Sequence, residues 1–281
     1  MRIKHLAFGA LLTLGLTLSS CAPQQDAPAT PIVEVEEMTE PVTEETIENS
    51  EPAEMPNEGE KTVESHEGQV LRHAVFFKFK EDVPQEQIDE VVQAFRDLPN
   101  KIPEIIGFQW GVNNSPEGFD AGFTHAFLLT FADEAGRAAY LPHEAHKAFG
   151  KVLSGKNDKV FVIDYWGTPY EPLEKELKHC VFFKFKEDAS PEDIRRIEEG
   201  FAELRGKISA IKGYEWGINN SPEKHDAGFT HCFMVTFDSE EGRDEYLPHP
   251  DHKAFVEVLL PLLEEPRVID FLAEGPLTLS N

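Results

Sequence analysis

Eight of the eleven histidines stand in four pairs with one common spacing of 106 positions: His73/His179, His125/His231, His143/His249 and His146/His252. Tyr140 and Tyr246 keep the same spacing. An imidazole titrates near neutrality and can take or give a proton, and a phenol can polarise a carbonyl oxygen. Together they are the equipment for enolisation or aldol-type ring closure. In the second copy Pro250 suits the first position of a helix, which puts His249 at its cap and His252 in its first turn. A helix N-terminus disfavours imidazolium, so His146 and His252 are expected to be neutral and able to accept a proton near pH 7. The competing reading is structural: histidines on apolar strand faces are commonly satisfied by buried hydrogen bonds, with Tyr140 as a cap on the core. His143 and His146 lie three apart, but the spacing is not His-Glu-x-x-His and no Cys-x-x-Cys is present, so no metal site is assigned. No cofactor is assigned either.

The elements that must position these groups come from a duplication. Comparing 72–166 with 178–272 gives 49 identities in 95 positions without a gap. Each copy begins with a strand rich in Val and Phe at 72–80. A helix from Pro84 to Leu98 follows, with Ile88, Val91, Val92, Phe95 and Leu98 on one face. In the second copy Ser190 suits the cap of that helix and Pro191 its first turn. Strands at 105–112 and 122–131, helical pieces at 134–140 and 146–153, and a last strand at 160–166 complete the copy. By strand alternation His73 shares a face with Val75, Phe77 and Phe79, and His125 with Phe127, Leu129 and Phe131. With strands one and three as neighbours, the two histidines are expected to converge under the helices, near Tyr140 and His146, in a mostly apolar pocket.

The order β-α-β-β-α-β predicts an α+β fold of two tandem ferredoxin-like domains. The sheet face away from the helices also carries apolar groups, Ala74 and Phe76 in strand one and Ala126 and Leu128 in strand three, so it must meet something. The sibling sheet is the expected partner, packed face to face as an intramolecular pseudo-dimer within a monomeric chain. Cys180 and Cys232 replace Ala74 and Ala126 on that face. Adjacent parallel strands rarely offer disulfide geometry, so two small buried thiols are expected. Arg137/Arg243 and Asp164/Asp270 read as structural ion pairs, Trp110/Trp216 as core anchors, and the Asn113-Asn-Ser-Pro-Glu117 loop as turn chemistry.

Several spaced motifs carry a resemblance: His73 with its Phe-Lys-Phe-Lys strand, Trp110-Gly111, Gly122-Phe-Thr-His125, Tyr140-Leu-Pro-His-Glu-Ala-His146 and Val162-Ile-Asp164. This set, present in both copies, resembles the stress-responsive dimeric α/β barrel (Dabb) domain. The resemblance implies a sheet-to-sheet barrel, here as a covalent version of a dimer. In the family's polyketide cyclase branch, the positions matching Tyr140 and His146, hence also Tyr246 and His252, are the catalytic ones. Those matching His73 and His125, hence also His179 and His231, line the pocket. The resemblance covers plant stress-associated proteins and members without assigned activity. It therefore leaves open a non-catalytic module binding a small apolar ligand or supporting envelope stress tolerance, a cofactor-free lyase or cyclase, and a monooxygenase-like activity.

The chain ends set the surroundings. Met1-Arg2-Ile3-Lys4-His5, an apolar run from Leu6 to Leu18 and Ser19-Ser20-Cys21 read as an export signal. Its thirteen apolar residues span about 20 Å as a helix, short of the roughly 30 Å hydrocarbon core. Leu18-Ser19-Ser20-Cys21 resembles a bacterial lipobox, which implies acylation of Cys21 and a lipid-anchored envelope protein, with Ala22 favouring the outer membrane. From Ala22 to Gln69 there are fourteen Asp or Glu, one Lys and six Pro, a net −13 of the whole chain's −26. That composition is a self-repelling tether. No Lys/Arg patch interleaves with aromatics, so nucleic acid is not an expected partner. The resulting layout is signal 1–20, tether 21–69, domains 70–167 and 178–274 around a linker at 168–177, and a tail at 275–281.

Overall fold

A computed structural model describes residues 66–170 and 172–275. The expected signal segment, Cys21, the tether up to residue 65 and tail residues 276–281 lie outside the described residues. Runs of apolar, β-prone side chains form β1 (Val70–Phe79), β2 (Gly107–Val112), β3 (His125–Phe131) and β4 (Asn157–Gly167), in the sheet order β2-β3-β1-β4. The second copy gives β5 (Leu177–Phe185), β6 (Gly213–Ile218), β7 (His231–Phe237) and β8 (Leu263–Leu272), in the matching order β6-β7-β5-β8. Pro266 sits in β8, an edge strand, where a missing N–H is tolerated.

All the pairings within the two sheets are antiparallel. This corrects the expectation of parallel strands around Cys180 and Cys232. The helical crossover from β5 to β6 preserves strand direction, and the connection from β6 to β7 reverses it. Cys180 is paired with Met234 and Cys232 with Phe182, and both thiols are free and buried.

The helices are α1 (Gln85–Arg96), α2 (Glu134–Tyr140), α3 (Glu144–Leu153), α4 (Pro191–Lys207), α5 (Glu240–Tyr246) and α6 (Pro250–Leu259). The Asp193 N–H donates to Ser190 Oγ at 3.1 Å at the start of α4, as the capping residue predicts. Buried Val91, Val92 and Phe95 of α1 pack on Val75, Phe77, Phe127 and Leu129 of their sheet. Ile197, Phe201 and Leu204 of α4 do the same in the second copy.

The opposite faces of the two sheets meet. Ala74, Phe76, Ala126, Leu128, Phe161 and Ile163 share one buried cluster with Cys180, Phe182, Cys232, Met234, Ile269 and Phe271. The chain is therefore an intramolecular α/β barrel, as the apolar outer faces require. Each fully buried Phe there contributes roughly 1.5–3 kcal/mol. Where the sheets touch edge to edge, glycine permits the close approach: a Cβ at Gly111 would lie 2.6 Å from the Leu272 carbonyl oxygen, and one at Gly217 2.8 Å from Tyr165 Cβ. Trp110 and Trp216 are half-buried and pack against the edges of the cores rather than anchoring their centres.

Candidate functional site

β1 and β4 bring His73 opposite Asp164, and β5 and β8 bring His179 opposite Asp270. The His73 Nδ1–H donates to Asp164 Oδ1 at 2.6 Å, and the Arg137 guanidinium in α2 donates to Asp164 Oδ2 at 2.8 Å. All three side chains are buried. Burial alone would push the His73 pKa down, but the charge and hydrogen bond of Asp164 outweigh it and leave it raised. Asp164 is held low in turn: burial opposes its ionisation, and His73 and Arg137 overcome that penalty. The expected Arg137–Asp164 ion pair is thus present, with a histidine added to it.

Tyr140 ends α2, and its ring lies 5.6 Å from His73 and 4.3 Å from His146, centroid to centroid. His143 caps α3, and its Nδ1 accepts the Ala145 N–H at 3.1 Å. His146 lies in the first turn of that helix, as predicted, and its Nδ1–H donates to the Leu141 carbonyl at 3.0 Å. With Nδ1 committed as donor, Nε2 of a neutral ring is left as an acceptor. Burial lowers the His146 pKa, against a raising contribution from the Leu141 carbonyl, so the neutral form is favoured. Burial and the nearby Glu223 and Asp164 carboxylates raise the Tyr140 pKa well above its ordinary value, keeping the phenol a hydrogen-bond donor.

Tyr140 and His146 line one cavity of about 290 Å³ whose walls include Val75, Phe77, Phe95 and Phe149. The matching Tyr246 and His252 line a cavity of about 60 Å³, with His179 in its wall. The His252 Nδ1–H donates to Leu247 O at 3.0 Å, and burial lowers its pKa as it does for His146.

His125 does not join this group. It pairs opposite Phe77, whereas His73 pairs opposite Leu129, so the two are four residues apart along β1, about 13 Å. Its ring meets Phe79 edge-on at 5.1 Å, and its Nδ1 shares a hydrogen bond with Thr124 Oγ1. His231 likewise lies away from Tyr246, with Nε2 3.0 Å from Glu198 Oε1. Alternation gave the correct face for both and the wrong position along it.

The Asn-Asn-Ser-Pro-Glu loop, read from sequence as a turn, reaches across the barrel into the other domain's site. Asn219 Oδ1 accepts the Asp164 N–H at 3.1 Å, the Asn220 N–H donates to the Asp164 carbonyl at 2.9 Å, and Arg137 donates to Asn220 Oδ1 at 2.7 Å. This frame places Glu223 Oε2 3.8 Å from His73 Nε2, buried and with no hydrogen-bond partner among the described residues. Glu117 Oε2 takes the equivalent place 3.8 Å from His179, and burial raises the Glu117 pKa. The five-residue identity of this loop in both copies was the available signal for these two carboxylates.

The geometry gives a mostly apolar cavity with a fixed donor and a neutral imidazole acceptor; His73, between carboxylates from two domains, stands behind the Tyr140 ring and does not line that cavity. Among the described residues no group of three or more His, Cys, Asp or Glu is arranged to hold a metal ion.

The profile of the Dabb family, the stress responsive A/B barrel domain, matches residues 71–167 and 177–273. Over 101 residues the chain is 37% identical to stress-response A/B barrel domain-containing protein HS1 of Arabidopsis thaliana, covering 36% of this chain and 93% of that protein. Over 95 residues it is 28% identical to olivetolic acid cyclase of Cannabis sativa, covering 34% of this chain and 94% of that protein. A solved structure from Fusobacterium nucleatum, provisionally named a monooxygenase, is matched over 76% of this chain and 99% of its own, with a TM-score of 0.50 at 10% identity. At that identity the likeness concerns the fold alone. With both copies matched over their length, the chain belongs to the stress responsive A/B barrel domain family.

Proposed function

We propose that this chain is a lipid-anchored envelope protein whose barrel binds a small, mainly apolar molecule carrying an oxygen function. The observation that supports binding most directly is the cavity of about 290 Å³ shared by Tyr140 and His146, where neither the phenol nor His146 Nε2 has a protein hydrogen-bond partner among the described residues. An apolar wall with a few convergent polar groups is the usual composition of a small-ligand site. The Tyr140 hydroxyl donates to the ligand oxygen, and His146 Nε2 accepts a ligand O–H. The pocket at Tyr246 and His252 is the narrower counterpart. The lipobox-like Leu18-Ser19-Ser20-Cys21 supports the anchor, and the acidic segment after it supports a tether holding a monomeric barrel away from the membrane surface.

Native mass spectrometry of the full chain purified from its source tests this reading. The expected species begins at an acylated Cys21, is monomeric, and carries a small organic molecule lost on denaturation. An unacylated mature chain removes the anchor. A chain that copurifies with nothing and takes up no hydrophobic probe removes the binding reading.

A second reading is cofactor-free lyase or cyclase chemistry, favoured by the neutral, anchored His146 beside the Tyr140 donor. His146 would remove a proton next to a carbonyl while Tyr140 stabilises the developing enolate oxygen. The 28% identity to olivetolic acid cyclase supports the same class. Deuterium exchange into simple β-diketones, followed by NMR, checks it. Exchange that His146→Ala and Tyr140→Phe each slow by at least about 100-fold is expected, and equal rates in these variants sink the reading.

A further inference from the structure

The two pockets share a Tyr, a His and a carboxylate from the sibling domain, yet one is nearly filled. About 60 Å³ around Tyr246 holds roughly two waters, whereas about 290 Å³ around Tyr140 approaches the lower end of small-ligand cavities. Particular residues account for the difference. Gly150 in α3 lines the larger pocket, and a Cβ added there would meet nothing within 4 Å. Its counterpart in α6 is Val256, whose side chain occupies the wall of the smaller pocket. Val160 is matched by Pro266, and Leu260, from the turn after α6, adds a further apolar group to the smaller pocket. At the rim, His225 from the second domain lines the larger pocket, while the corresponding Phe119 from the first domain lines the smaller one.

From this asymmetry we infer that the tandem holds one ligand per chain, in the Tyr140 pocket, and that Gly150 is one of the residues that keep it open. The second domain serves that pocket by lending Glu223 and His225, and its own pocket is closed by packing. The inference rests on the small-ligand reading above and adds where, and how many, ligands bind. Because the site takes wall residues from one domain and rim residues from the other, a single copy of the repeat does not build it. Its occupant is an apolar molecule of about bicyclic size with a hydroxyl group, which meets the acceptor of His146 and the donor of Tyr140.

The test is titration of the full chain with 2-naphthol, followed by calorimetry and native mass spectrometry. One equivalent is expected for the wild type. Gly150→Val is expected to weaken binding at least tenfold with an unchanged thermal midpoint, since the helix accepts a side chain at that position. The double variant Val256→Gly/Leu260→Ala is expected to add a second equivalent, and Val256→Ala/Leu260→Ala repeats the test should glycine unravel α6. Two equal sites in the wild type overturn the one-pocket assignment, and full binding in Gly150→Val overturns the role of Gly150; either result leaves the small-ligand reading standing. Absence of binding in the wild type and in every opened variant removes both.

Discussion

Around Tyr140 the walls leave about 290 Å³ and around Tyr246 about 60 Å³, although the polar frames of the two sites are almost superimposable in their bonds. His73–Asp164–Arg137–Asn220 in one site is repeated by His179–Asp270–Arg243–Asn114 in the other. Each member of that frame is bonded to others, so removing one leaves a buried charge or dipole without a partner. Wall positions such as Gly150 and Val256 carry no such constraint, because one apolar side chain replaces another at little cost if space allows. The contrast teaches that matching polar residues in two repeats reports a shared scaffold, while the apolar lining decides which repeat has room for chemistry.

The largest effect expected from breaking the comparison is Asp164→Ala. It strands Arg137 and His73, and about 3–5 kcal/mol of stability should be lost in urea unfolding. Asp270→Ala should cost a similar amount, and a difference above about 2 kcal/mol between the two variants would show that the frames are not equivalent. Next comes the barrel seam. Gly217→Ala should destabilise by about 1–3 kcal/mol, because the new Cβ would press on Tyr165, and near-neutral behaviour would mean the two sheets are less closely apposed.

The pH dependence is smaller and has two signs. The raised pKa of His73 gives stability that is fully present below its ordinary value of 6.5 and is lost as pH rises through the raised value. The depressed Asp164 adds stability present above its ordinary 3.8 and lost as pH falls through the lowered value. His146 acts oppositely to His73: its lowered pKa removes stability as pH falls from 6.5. NMR titration should find His73 and His179 protonating above pH 6.5 and His146 and His252 below it, and a reversed order would contradict the hydrogen bonds assigned to these rings. The smallest effect should come from His125→Ala, which removes a bond to Thr124 outside the pocket. A loss of about 1 kcal/mol is expected, with ligand affinity within about twofold of wild type; a larger drop in affinity would put His125 back in the site.

Local pattern carried much of this arrangement. The period of two along β1 separates Val75 and Phe77 from Ala74 and Phe76, and that split implies both a helix-covered face and a sheet-covered one. Pro250 and His249 marked the helix end that presents His252. What escaped the sequence depends on pairing between distant segments. The bond between His73 and Asp164 spans 91 positions and arises from strand register, which alternation does not set. The misplacement of His125 has the same origin, since side-chain alternation fixes a face but not a depth along it. Glu223 was hidden for another reason: its partner, His73, belongs to the other domain, so the loop's own residues describe only a turn.

The crossed loops also bear on the order in which the molecule can assemble during synthesis. The outer sheet face of the first domain, with Ala74 and Phe76, has its full cover only once β5, β7 and β8 have all been made, and Arg72 waits for Glu215, 143 positions later. Contacts this far apart in sequence close slowly, because a long loop must be ordered before they form. A chain emerging from its N-terminus therefore passes through a stage in which a complete apolar sheet face is open to neighbouring nascent copies. The two halves are joined by a connection of only nine residues between β4 and β5, from 168 to 176. Such a short join keeps the sibling sheet at high effective concentration, favouring closure within the chain over pairing between chains.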